Sequence, residues 1–583
     1  ALGTTAAWAA AVAQAVWGMP GGDHGAPALA GRSPLHMGAE TVAMIVPLVL
    51  LGRALELRAR RRAGGAIEAL SARRPVRVRR LLPVSNDFEE ISAEELRPGD
   101  RVLTRPGESL PADGLVREGQ SHVDEGLLTG ESRPVRKGAG DPVYAGTVNL
   151  AGALTVEVTS VGDASALGRI MQLVQEALNT KAGVERLADR AAAIFVPLVI
   201  AVALTAGAGW FFSGAGWAVA LTRMVSVLML ACPCAMGLAT PIAVLVGVGR
   251  GAELGILIRG GERLEAAARV TTVVFDKTGT LTRGTPEVEE VVAVTGGLVG
   301  GPEDALAWAA AVESRSEHPV AMAIVKRARE KKPDLPLATD VEVVVGRGVR
   351  GRVNGRLVVV GNEPFLHETG VPLGDFERKG ARFVDAGKTA AYLAIDGHVC
   401  AVFAIGDRLR ADAPAAVAAL KKLGLEIVLL SGDRRPVAEM IATQAGIDII
   451  HAEVTPADKA RVVRGLRGGR RVVAMVGDGL NDAPALAAAD VGVALGSGTD
   501  VARAAADITL VNDRVADVAV AIRLARLTVR TIRVNLAWAF AYNLVGLPLA
   551  AVGFIPPVAA SAAMAGSSLA VVLNALRLRR VRA

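Results

Sequence analysis

Six apolar runs punctuate the chain, at residues 1–18, 38–57, 191–213, 222–248, 534–553 and 557–576. Crossing a bilayer as a helix takes about 20 such residues, so each run is predicted to span a membrane. Between the second and third runs, residues 61–187 are polar and punctuated by Gly and Pro, with short alternating stretches such as 154–158. That pattern predicts a small, mostly β domain. Between the fourth and fifth runs, strand-like stretches at 272–275, 426–430 and 472–476 alternate with helical patterns, which predicts a parallel, doubly wound α/β sheet. Residues 286–399 interrupt the alternation: a helix is expected over 303–332, followed by hairpin-like strands around 346–360. They read as an α+β insertion. The expected organisation is therefore membrane helices at 1–60, a β-rich domain at 61–187 and membrane helices at 188–249. An α/β domain follows, built from 250–285 and 400–528 around the insertion at 286–399, and a last helix pair with a tail occupies 529–583.

Composition changes this picture little. Hydrophobic residues make up 51% of the 583 and charged residues 21%, a balance suited to a membrane protein with large water-exposed domains. The formal charge is +7. Its arginines concentrate beside apolar runs: Arg58, Arg60, Arg61 and Arg62 after the second, Arg530 and Arg533 before the fifth, Arg577, Arg579, Arg580 and Arg582 after the last. Such flanks mark the cytoplasmic side, and an even number of spans then places both termini there. No basic and aromatic surface pattern supports nucleic-acid binding. Three cysteines, Cys232, Cys234 and Cys400, imply no disulfide framework. Ala1 already lies in an apolar run without a basic leader or cleavage site, so this start does not read as a secretory signal.

The chemistry is carried by strand ends. Val273-Val274-Phe275 runs into Asp276-Lys277-Thr278-Gly279-Thr280, which places a carboxylate at the carboxyl end of a parallel strand, where α/β sheets bind ligands. A carboxylate there can attack a terminal phosphoryl group in line and form an aspartyl phosphate. A second strand ends in Gly477-Asp478-Gly479-Leu480-Asn481-Asp482-Ala483-Pro484. Carboxylates brought together in this way call for a divalent cation, for which Mg²⁺ is the natural choice. A third strand ends in Ser431-Gly432-Asp433, a set of groups suited to holding phosphoryl oxygens. Lys459 can supply positive charge to the transition state. Gly387-Lys388-Thr389 is not a P-loop, because the leading glycine would fall at Arg382.

The Asp276 to Thr282 heptad and the run from Gly477 to Pro484 together resemble the P-type ATPases. That resemblance implies a helical transmembrane bundle, a β-rich actuator domain, a haloacid-dehalogenase-like phosphorylation domain and an inserted nucleotide-binding domain. It also implies ATP and Mg²⁺ as partners, with Asp276, Lys277, Asp433 and Lys459 catalytic and Asp276, Thr278, Asp478 and Asp482 about the Mg²⁺. Thr129-Gly130-Glu131-Ser132 matches the actuator loop, in which Glu131 would orient the hydrolytic water. Glu313, Ser316, Glu317, His318 and Pro319 resemble a signature of the heavy-metal branch. There the histidine orients ATP, with Gly346, Gly348 and Asn362 as further adenosine-site candidates and Thr278 and Gly432 near the phosphates.

The fourth run carries Cys232-Pro233-Cys234 and then Pro241, so a regular helix is not expected through it, and the freed backbone must line a site. Two thiols there select a soft cation; an iron–sulfur cluster would need more cysteines. Tyr542 and Asn543 in the fifth run, and Met564, Ser567 and Ser568 in the sixth, offer soft or neutral donors, and neither run holds an acid or a lysine in its core. This suits monovalent Cu⁺ better than Zn²⁺, which needs charge compensation. The same residues resemble the copper(I)-exporting subgroup, which implies Cu⁺ as cargo, Ag⁺ as an alternative, and a bacterial plasma membrane as the location. By that resemblance Glu56 and Asp189 mark metal uptake and Glu40 metal exit. The subgroup's uptake methionine has no counterpart in residues 1–16. Two further helices and Cys-x-x-Cys domains would be expected ahead of Ala1, so a cytosolic copper chaperone is an implied partner with no recognisable dock. The rival readings are a Zn²⁺/Cd²⁺ pump, a soluble phosphatase of the haloacid dehalogenase type and a non-enzymatic copper receptor.

Overall fold

The computed structural model describes residues 87–125, 134–169, 171–172, 183–230, 234–294, 298–316, 318–344, 346–478, 482–496 and 505–582, with scattered positions between 50 and 82. The first expected span and all but scattered positions of the second therefore lie outside the described residues, as do Glu40, Glu56, Thr129, Gly130, Glu131 and Cys232. The chain divides into two compact units, one of residues 1–269 with 520–583 and one of residues 270–519.

In the first unit, strands at 88–92, 77–81, 101–104, 154–160, 113–118 and 142–143 form an antiparallel sheet in that spatial order. The expected alternation at 154–158 appears as Leu154–Ser160, which buries Leu154, Val156 and Val158 and turns the residues between them outward. Buried Asp113 ties the sheet to its neighbours by accepting from the Ala145 and Ala166 amides at 2.9 and 2.7 Å.

Among the described residues, four stretches are long and apolar enough to cross a membrane, at Arg190–Ala215, Trp217–Glu253, Ala516–Val552 and Pro557–Arg580; in the second the described residues form helices Trp217–Leu230 and Cys234–Glu253. Their outer faces expose Ile194, Leu198, Leu204, Trp538, Leu544 and Val545, as lipid contact requires. Glycine permits a close approach: a Cβ at Gly546 would fall 2.5 Å from a Leu230 methyl. The long helix Ala516–Val552 starts well ahead of the apolar run that predicted it. The segment before that run carries charge at Asp517, Arg523, Arg526, Arg530 and Arg533 between apolar residues, so hydropathy locates only its membrane part.

The second unit holds the expected parallel sheet, with strands at 508–510, 491–495, 473–477, 272–276, 426–430 and 449–451 in spatial order. Strand 272–276 is buried throughout. The inserted sheet is antiparallel, ordered 287–293, 398–406, 389–395, 356–361, 348–353, 338–344. It continues to Gly406, past the boundary expected at 399, because the strand after the 396–397 turn pairs with both 389–395 and 287–293. The single helix expected over 303–332 is instead two, Pro302–Glu313 and Pro319–Lys331. Pro319 forces the residue before it out of the helical region: His318 has φ −66° and ψ 139° and caps the second helix.

Candidate active site

Three neighbouring parallel strands end side by side, and their ends build the site. Asp276 is the last residue of the central strand, opposite Leu430 on one side, while Phe275 faces Val476 on the other. The chain continues past those partners into Ser431-Gly432-Asp433 and Gly477-Asp478. Carboxylate oxygens of Asp276, Asp478 and Asp482 lie within 4.8 Å of one another. Lys459 enters from helix Pro456–Leu466 and donates to Asp276 Oδ1 at 2.5 Å and to Asp482 Oδ1 at 2.7 Å.

Burial and the Asp482 charge push the Asp276 carboxyl well above the usual carboxylate range, against the pull of Lys459. Asp478 is pushed up to about 6 by burial and by Asp482. Burial lowers the Lys459 ammonium, but Asp276 and Asp482 outweigh it and hold the amine protonated. Three crowded carboxylates sharing one ammonium leave negative charge uncompensated. That donor set of hard oxygens fits Mg²⁺.

The loop after Asp276 is pinned from several sides. Gly279 has φ +73°, and a Cβ there would sit 1.8 Å from Asp478 Oδ2, so only glycine admits this approach. Lys277 donates to Asp433 Oδ2 at 2.5 Å, and the Asp433 amide donates to Ser431 Oγ at 3.1 Å. Thr278 and Gly432 are exposed.

Sequence reasoning missed a second set of residues. Arg410 donates to the Gly279 carbonyl at 2.8 Å, to the Thr282 carbonyl at 3.1 Å and to Asp513 Oδ2 at 2.8 Å. Asp407 accepts from Thr282 Oγ1 at 2.5 Å and from the Gly284 amide at 2.9 Å. These groups bind the outgoing connection to the inserted sheet against the returning one. The available signal was a charged run, Asp407-Arg408-Leu409-Arg410, directly after an apolar strand.

In the inserted domain, Asn362 donates to the Gly346 carbonyl at 3.1 Å and accepts from the Phe365 amide at 3.1 Å. Gly348 packs so closely that a Cβ would meet the Val360 carbonyl oxygen at 2.2 Å. His318 Nδ1 accepts from the Val320 amide at 3.3 Å. Glu313 ends its helix buried, and burial pushes it up to about 7. In the unfolded chain the same carboxyl titrates near 4.5. Between these values the folded protein keeps a proton that the unfolded chain has released, so stability falls as pH rises through this window and levels off above it. Glu313→Gln is therefore expected to raise amide-exchange protection of helix Pro302–Glu313 in nucleotide-free protein at about pH 8, by on the order of 2 to 3 kcal/mol, and to leave it unchanged near pH 4.

In the membrane-spanning part, Cys234 opens helix Cys234–Glu253 and Asp189 lies within helix Gly183–Trp210. The Tyr542 hydroxyl lies within interaction range of Asn543 and Ser567, and Tyr542 Oη, Asn543 Oδ1 and Ser567 Oγ are buried. Ser568 is also buried, and Met564 is half-buried one helical turn before it. Buried polar atoms of this kind normally have partners, and those of Tyr542, Asn543 and Ser567 are neutral oxygens close to one another.

A haloacid dehalogenase-like phosphoryl-transfer enzyme carried on membrane-spanning helices is the class that this fold and site define. The family model for haloacid dehalogenase-like hydrolases matches residues 270–490, and that for the P-type ATPase actuator domain matches residues 72–175. A probable copper-exporting P-type ATPase V of Mycobacterium tuberculosis is 49% identical over 543 residues, 93% of this chain and 70% of the relative. A silver exporting P-type ATPase of Salmonella typhimurium is 45% identical over 552 residues, 93% of this chain and 66% of the relative. The crystal structure of a zinc-transporting PIB-type ATPase in its E2.Pi state is 37% identical, with a TM-score of 0.63, covering 94% of this chain and 88% of that one. The chain belongs to the heavy-metal branch of the P-type ATPases, enzymes that use ATP with Mg²⁺.

Proposed function

We propose that the protein exports Cu⁺, with Ag⁺ as a second cargo, from the cytoplasm across a bacterial plasma membrane, and that it is phosphorylated on Asp276 in each cycle. The reading rests foremost on the charge of the donor set: Tyr542, Asn543 and Ser567 offer neutral oxygens rather than carboxylates to balance a divalent ion. Together with Met564 and the thiols of Cys232 and Cys234, they suit a soft monovalent ion. The copper- and silver-exporting relatives agree with it.

In the proposed cycle an Asp276 carboxylate oxygen attacks the γ-phosphorus of ATP, the bond to the β–γ bridging oxygen breaks, and ADP leaves with that oxygen's electron pair. Lys459 holds Asp276 in place and places positive charge beside the transferring group. Asp276 and Asp478 would hold Mg²⁺, with Asp482 and Thr278 as further donors; bound there, it neutralises charge on the phosphoryl oxygens. Glu313, His318, Gly346, Gly348 and Asn362 would bind the nucleotide, Lys277, Asp433 and Gly432 would position the phosphoryl oxygens, and Thr129, Gly130 and Glu131 would deliver water to the aspartyl phosphate. Glu56 and Asp189 would pass the ion inward from the cytoplasm, where a chaperone would deliver it, and Glu40 would receive it at the far side. Transport requires the phosphorylated state to bind the ion more weakly than the unphosphorylated one.

The zinc-transporting structural relative makes Zn²⁺ the competing cargo. The test is ATPase activity of the protein in lipid vesicles under reducing conditions with Cu⁺, Ag⁺, Zn²⁺ or Cd²⁺. Stimulation by Cu⁺ and Ag⁺ is expected, with its loss in Cys232→Ser/Cys234→Ser. Stimulation by Zn²⁺ alone would overturn the copper assignment.

A further inference from the structure

An open cavity of about 680 Å³ lies where helix Gly183–Trp210 and the long helix Ala516–Val552 approach helix Gly261–Arg269. Its wall takes Gly183, Arg186 and Arg190 from the first helix and Arg533, Leu536 and Phe540 from the second. Each triplet is spaced i, i+3, i+7, so each forms one helix face. Arg269 and Glu265 complete it.

Arg190 is the first residue of an apolar segment able to cross the membrane, and Arg533 stands just before the apolar run of the second helix. Both lie at the membrane boundary from which the chain runs into residues 270–519. Two of the four arginines are neutralised: Arg269 pairs with Glu265, and Arg186 lies 3.6 Å from Glu262. Arg190 and Arg533 have no carboxylate partner among the described residues. One helical turn and two turns beyond Arg533, the wall becomes apolar at Leu536 and Phe540, and the neighbouring surface exposes Val534 and Trp538.

We propose that this cavity binds one anionic phospholipid, its phosphodiester between Arg190 and Arg533 and an acyl chain along Leu536 and Phe540. Charge complementarity selects the headgroup, and basic pockets between spans on the cytoplasmic side suit such headgroups. The apolar wall distinguishes the site from a general basic flank, which needs no cavity, and from a site for a free anion, which needs no acyl groove. The proposal uses neither the candidate ion donors Cys232, Cys234 and Met564 nor Asp276, so it stands whether the cargo is Cu⁺ or Zn²⁺.

The test uses the full chain in vesicles of phosphatidylcholine alone or mixed with phosphatidylglycerol, followed by detergent extraction and native mass spectrometry. One phosphatidylglycerol is expected to stay bound. In Arg190→Gln/Arg533→Gln its retention should fall about 25-fold, since each basic residue near an anionic surface contributes about fivefold. Arg577→Gln/Arg579→Gln, at the far end of the chain, should retain it. Excess inorganic phosphate should leave retention unchanged, and displacement by phosphate would overturn the lipid assignment in favour of a free anion. Equal retention in the Arg190/Arg533 variant would remove the site altogether. Should that variant fail to fold, a photoactivatable phosphatidylglycerol on the unaltered chain decides: labelled peptides should map to 183–190 and 533–540, and labelling confined to other segments refutes the proposal.

Discussion

Asp276→Asn is expected to eliminate the acid-stable phosphoenzyme formed from γ-labelled ATP, a loss on the order of 10⁴-fold or more. The amide is nearly isosteric but carries no nucleophilic oxyanion. Stability should not suffer, because the ionised Asp276 carboxyl is disfavoured by burial and by the Asp482 charge. A neutral amide escapes both, and it still accepts a hydrogen bond from Lys459 through its carbonyl oxygen. The variant should therefore purify as a folded protein that binds ATP without becoming labelled. Label that persists on Asp276→Asn would mean that another group is the nucleophile.

That Asp276 was legible in the sequence follows from the way an α/β sheet works. A short, fully buried strand needs no periodicity to be recognised when a turn follows it at once, and the ligand edge of a parallel sheet is fixed by strand direction. The same logic located Asp478 and Asp433. What sequence could not show was who touches whom. Asp482 read as a magnesium ligand and Lys459 as a phosphate partner, but the structure also joins them to each other at 2.7 Å, a contact between helix-start residues that no local pattern encodes. The Arg410 to Asp513 pair joins residues 103 positions apart and was equally invisible. In the membrane part, composition offered Met564, Ser567 and Ser568 as candidate donors but not their helical phase: Ser567 and Ser568 are buried and Met564 is half-buried. The break at His318 was readable from Pro319 and was overridden by the apolar content on both sides of it.

Lys459→Met is expected to slow phosphoenzyme formation by about 10²- to 10³-fold, for a reason that differs from the loss in Asp276→Asn. Lys459 is 10% exposed, and its two carboxylate partners are 5% and 3% exposed. Breaking a buried ion pair from one side leaves charge without a partner, a cost of about 3 to 5 kcal/mol where nothing relaxes. Here the carboxylates can relax by taking up protons. Without the ammonium Asp276 should hold its proton to still higher pH, and a protonated carboxyl is no nucleophile. Two readouts separate this from simple unfolding. The residual phosphorylation rate of Lys459→Met should climb with pH over a range in which the wild-type rate is already flat. It should also respond to added Mg²⁺ more steeply than the wild type does, since a cation can replace part of the missing charge. Lys459→Arg should recover only part of the rate, because a planar guanidinium does not fit between two carboxylates placed to receive a point charge. A Lys459→Met enzyme that phosphorylates within about threefold of wild type at neutral pH would show that this ammonium is structural and that the carboxylate cluster is neutralised by other means.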